Sequence, residues 1–418
     1  MSGRLTTGPK VSERPAGRRR AGRLSSRVVS DASVGVYLHV PFCERVCPYC
    51  DFAVVAARPL AAGLERRYVA ALLRELRGRR AAFAGRRLAS VYLGGGTPSL
   101  LEPESVAELI AAVRGSFASD GPVEVTLEVN PSTLERTRLP GFRAAGVSRL
   151  SVGVQSFDDT VLRRLGRAHR AEEAHATLAA CRETPFDAIS LDLIFAAPGQ
   201  TLARFERDLG EAIGFGPEHV SAYELTIEAG TPFAKAAARG RLARPDEELV
   251  LAMQELAEAR LRSAGFDRYE ISNYARPGFE AVHNRRYWER RPVLGLGVGA
   301  FSTDPADPQA PFGVRRANRR ELPEYLRCIE EDRSPEAEPA EQLDAATARG
   351  EAIFLGLRAG GVDAARFEAE FGEPPRSFYR VEIEALAAAG LLVESGGGDL
   401  GLTPRGRQLA DHVCMHFV

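Results

Sequence analysis

Short β-rich runs alternate with helical stretches over much of this chain, and this alternation constrains the fold more than any other feature. The β-rich runs cover residues 34–40, 88–93, 123–129, 149–154, 188–195 and 219–225, and helical periodicity is clear at 64–80, 102–113, 171–182 and 202–213. Strand, helix, strand repeated about six times predicts a parallel sheet with right-handed crossovers. We therefore expect an α/β protein built on a partial (β/α)6 barrel.

Three of the six cysteines lie on one short loop directly after the first predicted strand. Pro41 ends that strand, and Cys43, Cys47 and Cys50 follow it. Cysteines at these spacings on a compact loop can direct their sulfur atoms to a common centre, and thiolates select iron-sulfur clusters or zinc. Three thiolates suit a [4Fe-4S] cluster that leaves one iron free.

Two other interpretations of these cysteines stay open. Buried cysteines serve as small apolar side chains in many cores, although three of them among polar neighbours within eight positions is not core spacing. A structural zinc with His39 as fourth ligand is the second, although such sites usually draw on two separated ligand pairs and this chain has no second pair. The cluster is the interpretation that we carry forward.

The ends of the next predicted strands supply glycines and polar side chains. These residues are Gly95, Gly96, Thr97, Glu128, Gln155 and Asp192. Glycines after the second strand would let the backbone approach a ligand and leave N-H groups free to bind it. Arg167 follows on a loop, where it could pair with a carboxylate. Each residue alone would also fit a satisfied core polar group or a surface charge, but together at one face of a barrel they predict a ligand pocket.

The spacing CxxxCxxC, with the aromatic Tyr49 before the last cysteine, resembles the radical S-adenosylmethionine (SAM) superfamily. The resemblance implies a [4Fe-4S] cluster whose open iron chelates the amino and carboxylate groups of SAM. An electron from such a cluster can cleave the sulfonium to a 5'-deoxyadenosyl radical. The superfamily also has the partial (β/α)6 barrel that the alternation predicts.

The resemblance implies roles for the residues at the strand ends. In the family the glycine-threonine turn binds the methionine amino group, the acidic, amide and guanidinium groups hold the amino-acid and ribose parts, and two tyrosines match aromatics that line the cofactor. The SAM-binding candidates are therefore Tyr37, Tyr49, Gly95, Gly96, Thr97, Glu128, Gln155, Arg167 and Asp192. One departure is Ala196, which stands where relatives carry glycine after the fifth strand and should narrow the backbone freedom there.

A second informative segment, residues 269–302, contains His283, Asn284, Tyr287 and Trp288 in the pattern HNxxYW. With the preceding Glu-Ile-Ser-Asn it resembles the HemW-type haem chaperones, relatives of oxygen-independent coproporphyrinogen III dehydrogenase. A histidine beside aromatic side chains is suited to ligate and cover a haem, so these four residues are haem-binding candidates. A structural histidine beside a core tryptophan is the alternative. The glycine run that follows lacks the spacing and the βαβ frame of a dinucleotide loop.

One position after the cluster cysteines separates two kinds of relative. The dehydrogenases carry a fourth cysteine where this chain has Phe52, and they lack HNxxYW. The resemblance therefore implies a chaperone that holds haem b and passes it to an apo-protein such as a respiratory haem enzyme. The alternative is a coproporphyrinogen III dehydrogenase that decarboxylates propionates in haem synthesis. A radical methyltransferase fits less well because no second pair of functional cysteines is visible.

The last part of the chain, residues 341–418, reads as three helices, a strand, a Gly-Gly-Gly turn, a strand and a final helix over 405–416. That order predicts a winged-helix-like domain, a shape often used on DNA. Seven arginines and no lysine against twelve acidic residues give 7 − 12 = −5, and an acidic face does not neutralise phosphates. We expect this domain to cap the barrel or to contact protein or haem.

Composition divides the rest of the chain. We expect residues 1–33, rich in arginine, glycine and proline, to be a disordered basic extension, with a mitochondrial transit peptide as the sharper alternative. Residues 34–265 would form the barrel, and 266–340 an extension and linker that carries HNxxYW. The formal net charge of −1 and the lack of a membrane-spanning apolar stretch predict a soluble, cytoplasmic protein without a nucleic-acid partner. A homodimer is an arrangement that the sequence leaves open.

Overall fold

A computed structural model of the protein describes residues 32–418. The predicted basic extension, apart from its last two residues, lies outside the described residues. Between residues 32 and 418, no helix combines the length and the apolar character needed to cross a membrane.

The elements follow the predicted alternation and then continue into smaller strands and helices. The strands are β1 Ser33–Val40, β2 Phe42–Cys43, β3 Val55–Ala56, β4 Arg87–Gly95, β5 Glu124–Val129, β6 Arg149–Gln155, β7 Ala188–Phe195, β8 His219–Glu224, β9 Asp267–Arg268, β10 Asn273–Ala275, β11 Val293–Leu296, β12 Phe301–Asp304, β13 Val314–Ala317, β14 Glu341–Gln342, β15 Leu392–Glu394 and β16 Leu400–Leu402. The α-helices are α1 Ala62–Arg79, α2 Pro103–Ser116, α3 Thr133–Ala144, α4 Asp159–Arg164, α5 Ala171–Glu183, α6 Leu202–Phe215, α7 Pro232–Ala238, α8 Glu247–Ser263, α9 Val282–Trp288, α10 Leu322–Glu330, α11 Ala345–Arg358, α12 Ala364–Phe371, α13 Pro375–Ala388, α14 Pro404–Gln408 and α15 Ala410–Cys414. Short 3-10 turns lie at Arg80–Phe83, Pro98–Leu100 and Met415–Phe417.

Within residues 32–418, twelve strands form one sheet in the order β14-β13-β12-β11-β1-β4-β5-β6-β7-β8-β10-β9. The strands from β11 to β8 in this order run parallel to their neighbours. The strands outside them are antiparallel. The edge strands β14 and β9 do not pair with each other in the described part of the chain, so the barrel stays open. The predicted α/β fold with a partial barrel is confirmed.

Apolar residues of the parallel strands and of the covering helices form one large core. β7 is buried along nearly its whole length, as expected of a parallel strand covered on both faces. α1 buries Tyr68, Leu72 and Leu76 at helical spacing in the same core. Ser190 and Asp192 interrupt the apolar run of β7 two residues apart and therefore share a face, which lines the cavity described below.

The C-terminal elements from α11 to α15, with the β15–β16 pair, surround a second core. Their order is that of the predicted winged-helix-like domain. The prediction of a single final helix over 405–416 was wrong. The chain forms two short helices there and leaves helical geometry at Leu409, with φ −113° and ψ 30°. Gly406 in the first of them is held against the Leu391 carbonyl, whereas Val413 in the second turns into the second core.

Candidate cofactor cavity

A cavity of about 450 Å³ lies at the carboxyl-terminal ends of the parallel strands and reaches down into the barrel. Barrel enzymes keep their sites at this end, and small-molecule sites have volumes of about 300–1,000 Å³. The predicted residues that line it are Cys43, Cys47, Tyr49, Cys50, Gly95, Gly96, Thr97, Glu128, Gln155, Arg167, Asp192 and Asn284. Strand topology therefore brings most of the predicted residues to one place.

The loop with the three cysteines is fixed at the mouth of this cavity, where β2 and β3 pair at its base. The Thr97 hydroxyl donates to Sγ of Cys43 at 3.7 Å, and the Arg167 guanidinium donates to Sγ of Cys47 at 3.8 Å. Burial raises the pKa of Cys43 to about 11, so the bare thiol holds a proton at neutral pH that a metal would displace. The donor set fits a soft metal centre or an iron-sulfur cluster.

The glycine-threonine turn lies against this loop, and its N-H groups are used by the protein itself. The N-H of Gly95 donates to Glu128 at 2.9 Å, and those of Gly96 and Thr97 donate to carbonyls of β1 and β2 at 2.8 and 2.7 Å. The prediction that these N-H groups are free for a ligand was wrong. Gly95 is needed for space, because it has φ +108° and a Cβ there would overlap the ring of His39.

Glu128 and Tyr92 form the wall beside the turn. The Tyr92 hydroxyl donates to Oε1 of Glu128 at 2.9 Å. Burial raises the pKa of Glu128 to about 7, against the lowering effect of the Tyr92 hydrogen bond. A nearby positive charge favours the ionised form of such a carboxyl, so this wall suits a cationic ligand group such as an ammonium.

Arg167 belongs to the same cavity lining and makes its hydrogen bonds to neutral groups. Its Nη2 donates to Oδ1 of Asn130 at 2.6 Å and to the Gly153 carbonyl at 2.9 Å, whereas its buried Nε has no partner. Asn130 in turn donates to the Thr97 hydroxyl at 2.7 Å. A guanidinium held in this way, with an orphaned Nε, fits an anionic ligand group such as a carboxylate.

Asp192 and Gln155 complete the polar lining. Asp192 accepts a hydrogen bond from the Ser151 hydroxyl at 2.9 Å, and burial raises the pKa of its carboxyl. Gln155 ends β6 with φ +67°, a left-handed conformation that few non-glycine residues adopt. Strain of this kind gathers at functional sites because the surrounding structure must hold it in place.

Four predicted residues, Tyr37, His283, Tyr287 and Trp288, are absent from the described lining of the cavity. The ring of Tyr37 lies behind Tyr92, with ring centres 6.0 Å apart. His283 is buried, and its two ring nitrogens contact the Ser90 hydroxyl at 2.9 Å and the Tyr287 hydroxyl at 3.3 Å. Burial lowers the pKa of His283 to about 3, so the ring is neutral. In this arrangement His283 is not presented to a ligand.

His39, the proposed fourth ligand of a structural zinc, is also engaged on both sides. Its Nε2 lies 2.9 Å from the Ala53 carbonyl, and its Nδ1 lies 3.1 Å from the Tyr37 hydroxyl. Neither nitrogen is open toward the cysteines. The three thiols therefore have to act without this histidine.

Helix α9, which carries HNxxYW, closes the opposite, amino-terminal end of the barrel. His283 reaches Ser90 near the start of β4, its N-H donates to Glu124 at the start of β5 at 3.3 Å, and Arg286 donates to Ser33 at the start of β1 at 2.8 Å. Asn284 points the other way and lines the cavity. Through Asn284 the motif thus contributes to the floor of the cavity.

Sequence reasoning missed several residues that line the cavity, among them Tyr92 and Asn130. Tyr92 precedes the glycine turn on β4, and Asn130 follows Glu128 by two positions. Alternation along a strand puts residues two apart on the same face, so this spacing was the signal that could have found Asn130.

Comparison with known proteins bears on the cavity and on the C-terminal part. Residues 37–212 match the Radical SAM superfamily, and residues 343–409 match the HemN C-terminal domain. The heme chaperone HemW of Bacillus subtilis (strain 168) is 33% identical over 391 residues, which cover 91% of this chain and 98% of that protein. This chain belongs to the HemW family of radical SAM proteins. Within that family, HemW of Mycobacterium tuberculosis (strain ATCC 25618 / H37Rv) is 38% identical over 381 residues, covering 91% of this chain and 93% of that protein.

A solved structure also has a similar fold. Coproporphyrinogen III oxidase (HemN) from Escherichia coli, described as a radical SAM enzyme, matches with a TM-score of 0.78 and 25% sequence identity, covering 92% of this chain and 90% of that one. The resemblance predicted from the cysteine loop and HNxxYW is confirmed at the level of the family. Membership of the radical SAM superfamily implies a [4Fe-4S] cluster and SAM.

Proposed function

We propose that this protein is a haem chaperone with a radical SAM fold, which binds a [4Fe-4S] cluster, SAM and haem b and passes the haem to an apo-protein such as a respiratory haem enzyme in the cytoplasm. The observation that carries the cofactor part is the set of three thiols, Cys43, Cys47 and Cys50, at the mouth of one polar-lined cavity. The haem part is supported by relatives named heme chaperone HemW that match 91% of the chain.

The lining groups have complementary tasks in this proposal. Glu128 would hold the amino group of SAM, because a cationic partner would favour the ionised form of its buried carboxyl. Arg167 would hold the carboxylate through its orphaned Nε, and Asp192 would accept ribose hydroxyls. When bound, the cluster supplies an electron and an open iron for SAM. Glu128, Arg167 and Asp192 would thus hold the amino-acid and ribose parts of SAM within the cavity that the thiols line.

A second candidate, coproporphyrinogen III dehydrogenase activity, is favoured by the structural likeness to HemN, with its TM-score of 0.78. Against it stands Phe52, which lines the cavity mouth and is 62% exposed where the dehydrogenases carry a fourth cysteine. An exposed phenyl ring can cover an apolar ligand, but it lacks the metal-binding and redox chemistry of a cysteine thiol. We therefore rank the chaperone first.

One anaerobic experiment separates the two candidates. Cluster-loaded protein is incubated with SAM, a reductant and coproporphyrinogen III, and a parallel sample is titrated with haem while the Soret absorbance is followed. The chaperone proposal expects saturable haem binding and no decarboxylated porphyrin. Formation of protoporphyrinogen would replace it with the dehydrogenase, and a protein that neither binds haem nor forms product would contradict both.

A further inference from the structure

Two of the three loop thiols are connected to each other by hydrogen bonds through side chains of other segments. The Thr97 hydroxyl donates to Sγ of Cys43 at 3.7 Å, and Asn130 donates to that hydroxyl at 2.7 Å. Asn130 accepts in turn from Nη2 of Arg167 at 2.6 Å, and Nη1 of Arg167 donates to Sγ of Cys47 at 3.8 Å. We call these four hydrogen bonds the Asn130 network, because Asn130 is the residue at their centre.

The chemistry of the side chains fixes the direction of each hydrogen bond in the Asn130 network. A guanidinium can only donate, so the amide oxygen of Asn130 must face Arg167. The amide nitrogen then faces Thr97 and donates to its hydroxyl oxygen. The hydroxyl hydrogen of Thr97 is thereby free to point at Sγ of Cys43. Both ends of the network therefore present a hydrogen atom to a sulfur.

The neighbouring backbone holds Asn130 and Arg167 in this arrangement. Asn130 directly follows β5 and precedes Pro131, which favours extended backbone at Asn130. The Gly153 carbonyl, on β6, accepts a second hydrogen bond from Nη2 of Arg167 at 2.9 Å. A Cβ at Gly153 would lie 3.1 Å from Oδ1 of Asn130 and 3.5 Å from Nη2 of Arg167. A larger residue at this position would therefore crowd the pair.

Donors of this kind have a defined effect on an iron-sulfur cluster. Hydrogen bonds to the ligating sulfurs are among the terms that set its reduction potential. Reduction adds one negative charge, and a donor at a sulfur stabilises that charge. Donors to Cys43 and Cys47 therefore raise the potential. The third thiol, Cys50, is hydrogen-bonded by the backbone of Phe52, and a side-chain substitution does not remove a backbone donor.

We propose that Asn130 is a positioning residue that raises the reduction potential of the [4Fe-4S] cluster, a statement that rests on the cofactors proposed above. Asn130 acts through Thr97 and Arg167, whose donors it orients toward the two sulfurs. Arg167 also offers its unpartnered Nε to the SAM carboxylate in our proposal. By fixing one guanidinium, Asn130 thus sets both a donor to the cluster and a donor to SAM.

The test is the midpoint potential of the cluster in anaerobically reconstituted, full-length variants, from titrations with dithionite followed by EPR of the reduced cluster. Asn130→Asp replaces the amide donor by an acceptor, so the Thr97 hydroxyl turns from Cys43 to the new carboxylate. Its equilibrium constant for reduction should fall about tenfold, or about 59 mV for one electron. Thr97→Val removes only the hydroxyl donor and should lower the constant about threefold.

Two matched variants serve as controls at equal iron content. Thr97→Ser keeps a hydroxyl in the same place, so its equilibrium constant for reduction should lie within about twofold of the wild type. Thr126→Val removes a hydroxyl of β5 that lines the same cavity and has no hydrogen-bond partner among the described residues. This variant should also match the wild type, because it changes no donor to a sulfur.

The outcomes separate the inference from the proposed function. Lower potentials in Asn130→Asp and Thr97→Val, with both controls as in the wild type, support the Asn130 network. Wild-type potentials in these two variants, an equal fall in Thr126→Val, or loss of iron from both network variants would overturn the inference while the cluster stands. Loss of iron from Asn130→Asp alone leaves Thr97→Val against Thr97→Ser to decide. Wild-type protein that assembles no cluster overturns the proposed cofactors as well.

Discussion

The two ends of the barrel differ in how their polar groups are satisfied. At the carboxyl-terminal end, Arg167 has an orphaned Nε and Glu128 is a carboxyl that ionises only near neutral pH. At the amino-terminal end, His283 and Arg286 are buried with partners around them. An end with an unpartnered donor and a carboxyl of raised pKa is suited to a ligand, whereas an end whose polar groups are satisfied holds the structure together. Motif residues therefore have different roles according to the end at which they lie.

The largest expected effect tests the satisfied end. His283→Ala should lower the free energy of unfolding by about 3 kcal/mol, because it leaves a void and removes the partners of Ser90 and Tyr287. His175→Ala, an exposed histidine stacked on Phe157 at 5.0 Å, should lower it by about 0.5 kcal/mol or less. Denaturant unfolding measures both. Unchanged stability in His283→Ala, together with lost haem binding, would make His283 a direct haem ligand and break the contrast between the ends.

The next effect tests the buried carboxyl of Glu128 through pH. Burial raises the pKa of Glu128 to about 7 in the folded protein, above the unfolded value of 4.5. The unfolded state therefore loses this proton first as pH rises, and the free energy of unfolding falls between these two pKa values by up to about 3 kcal/mol. Glu128→Gln should make the decline shallower by up to about 1.4 kcal/mol per pH unit.

Unfolding midpoints in denaturant between pH 5 and pH 8 measure this slope. Glu104→Gln changes an exposed carboxyl of α2 and should leave the slope as in the wild type. Equal slopes in the wild type and in Glu128→Gln would mean that this carboxyl is ionised throughout and is not waiting for a cationic partner.

A smaller effect tests Arg167, whose Nε has no hydrogen-bond partner. Arg167→Met should weaken SAM binding about thirtyfold, or about 2 kcal/mol, because it removes a charge-assisted hydrogen bond to the carboxylate. Arg164→Met on the same segment is the control, since Arg164 is exposed and donates to the Pro198 carbonyl at 3.0 Å. Anaerobic equilibrium dialysis at matched iron content gives the two affinities. Wild-type affinity in Arg167→Met would remove Arg167 from the SAM site.

The smallest effect concerns the loop after β7. Ala196 has φ +59°, a left-handed conformation that costs an L-residue about 1–2 kcal/mol. Ala196→Gly relieves this strain but loses a buried methyl group worth about 0.8 kcal/mol and adds unfolded-state entropy. The net change in unfolding free energy should lie within about 1 kcal/mol of zero. A larger loss would show that the Ala196 methyl is a packing anchor of the cavity rim.

The parallel strands and the cavity could be predicted because they depend on local pattern and general topology. The strand predicted at 188–195 is Ala188–Phe195 in the structure. Residues at the carboxyl-terminal ends of parallel strands lie together regardless of how the covering helices are arranged. α3, Thr133–Ala144, was missed because Pro140 lies inside it and proline usually marks a helix end.

The burial of His283 could not be predicted because its partners are distant in sequence. Ser90 and His283 are separated by 193 residues, and the N-H of His283 donates to Glu124 across 159 residues. The sequence of a short helix does not indicate against which strands, at their amino-terminal ends, the helix will pack. The prediction that the N-H groups of the glycine turn are free was wrong for a similar reason. Their acceptors are carbonyls of β1 and β2 and the carboxylate of Glu128, and these come close only through strand pairing.

The most direct test of the cofactor site is the iron and sulfide content of anaerobically reconstituted protein, with its absorbance at about 400 nm. Wild type should hold about four iron atoms per chain, and Cys328→Ala, which changes a buried cysteine away from the loop, should match it. The triple variant Cys43→Ala, Cys47→Ala, Cys50→Ala should lose both the iron and the absorbance band. Retention of wild-type iron and absorbance by the triple variant would contradict the cluster at the mouth of the cavity.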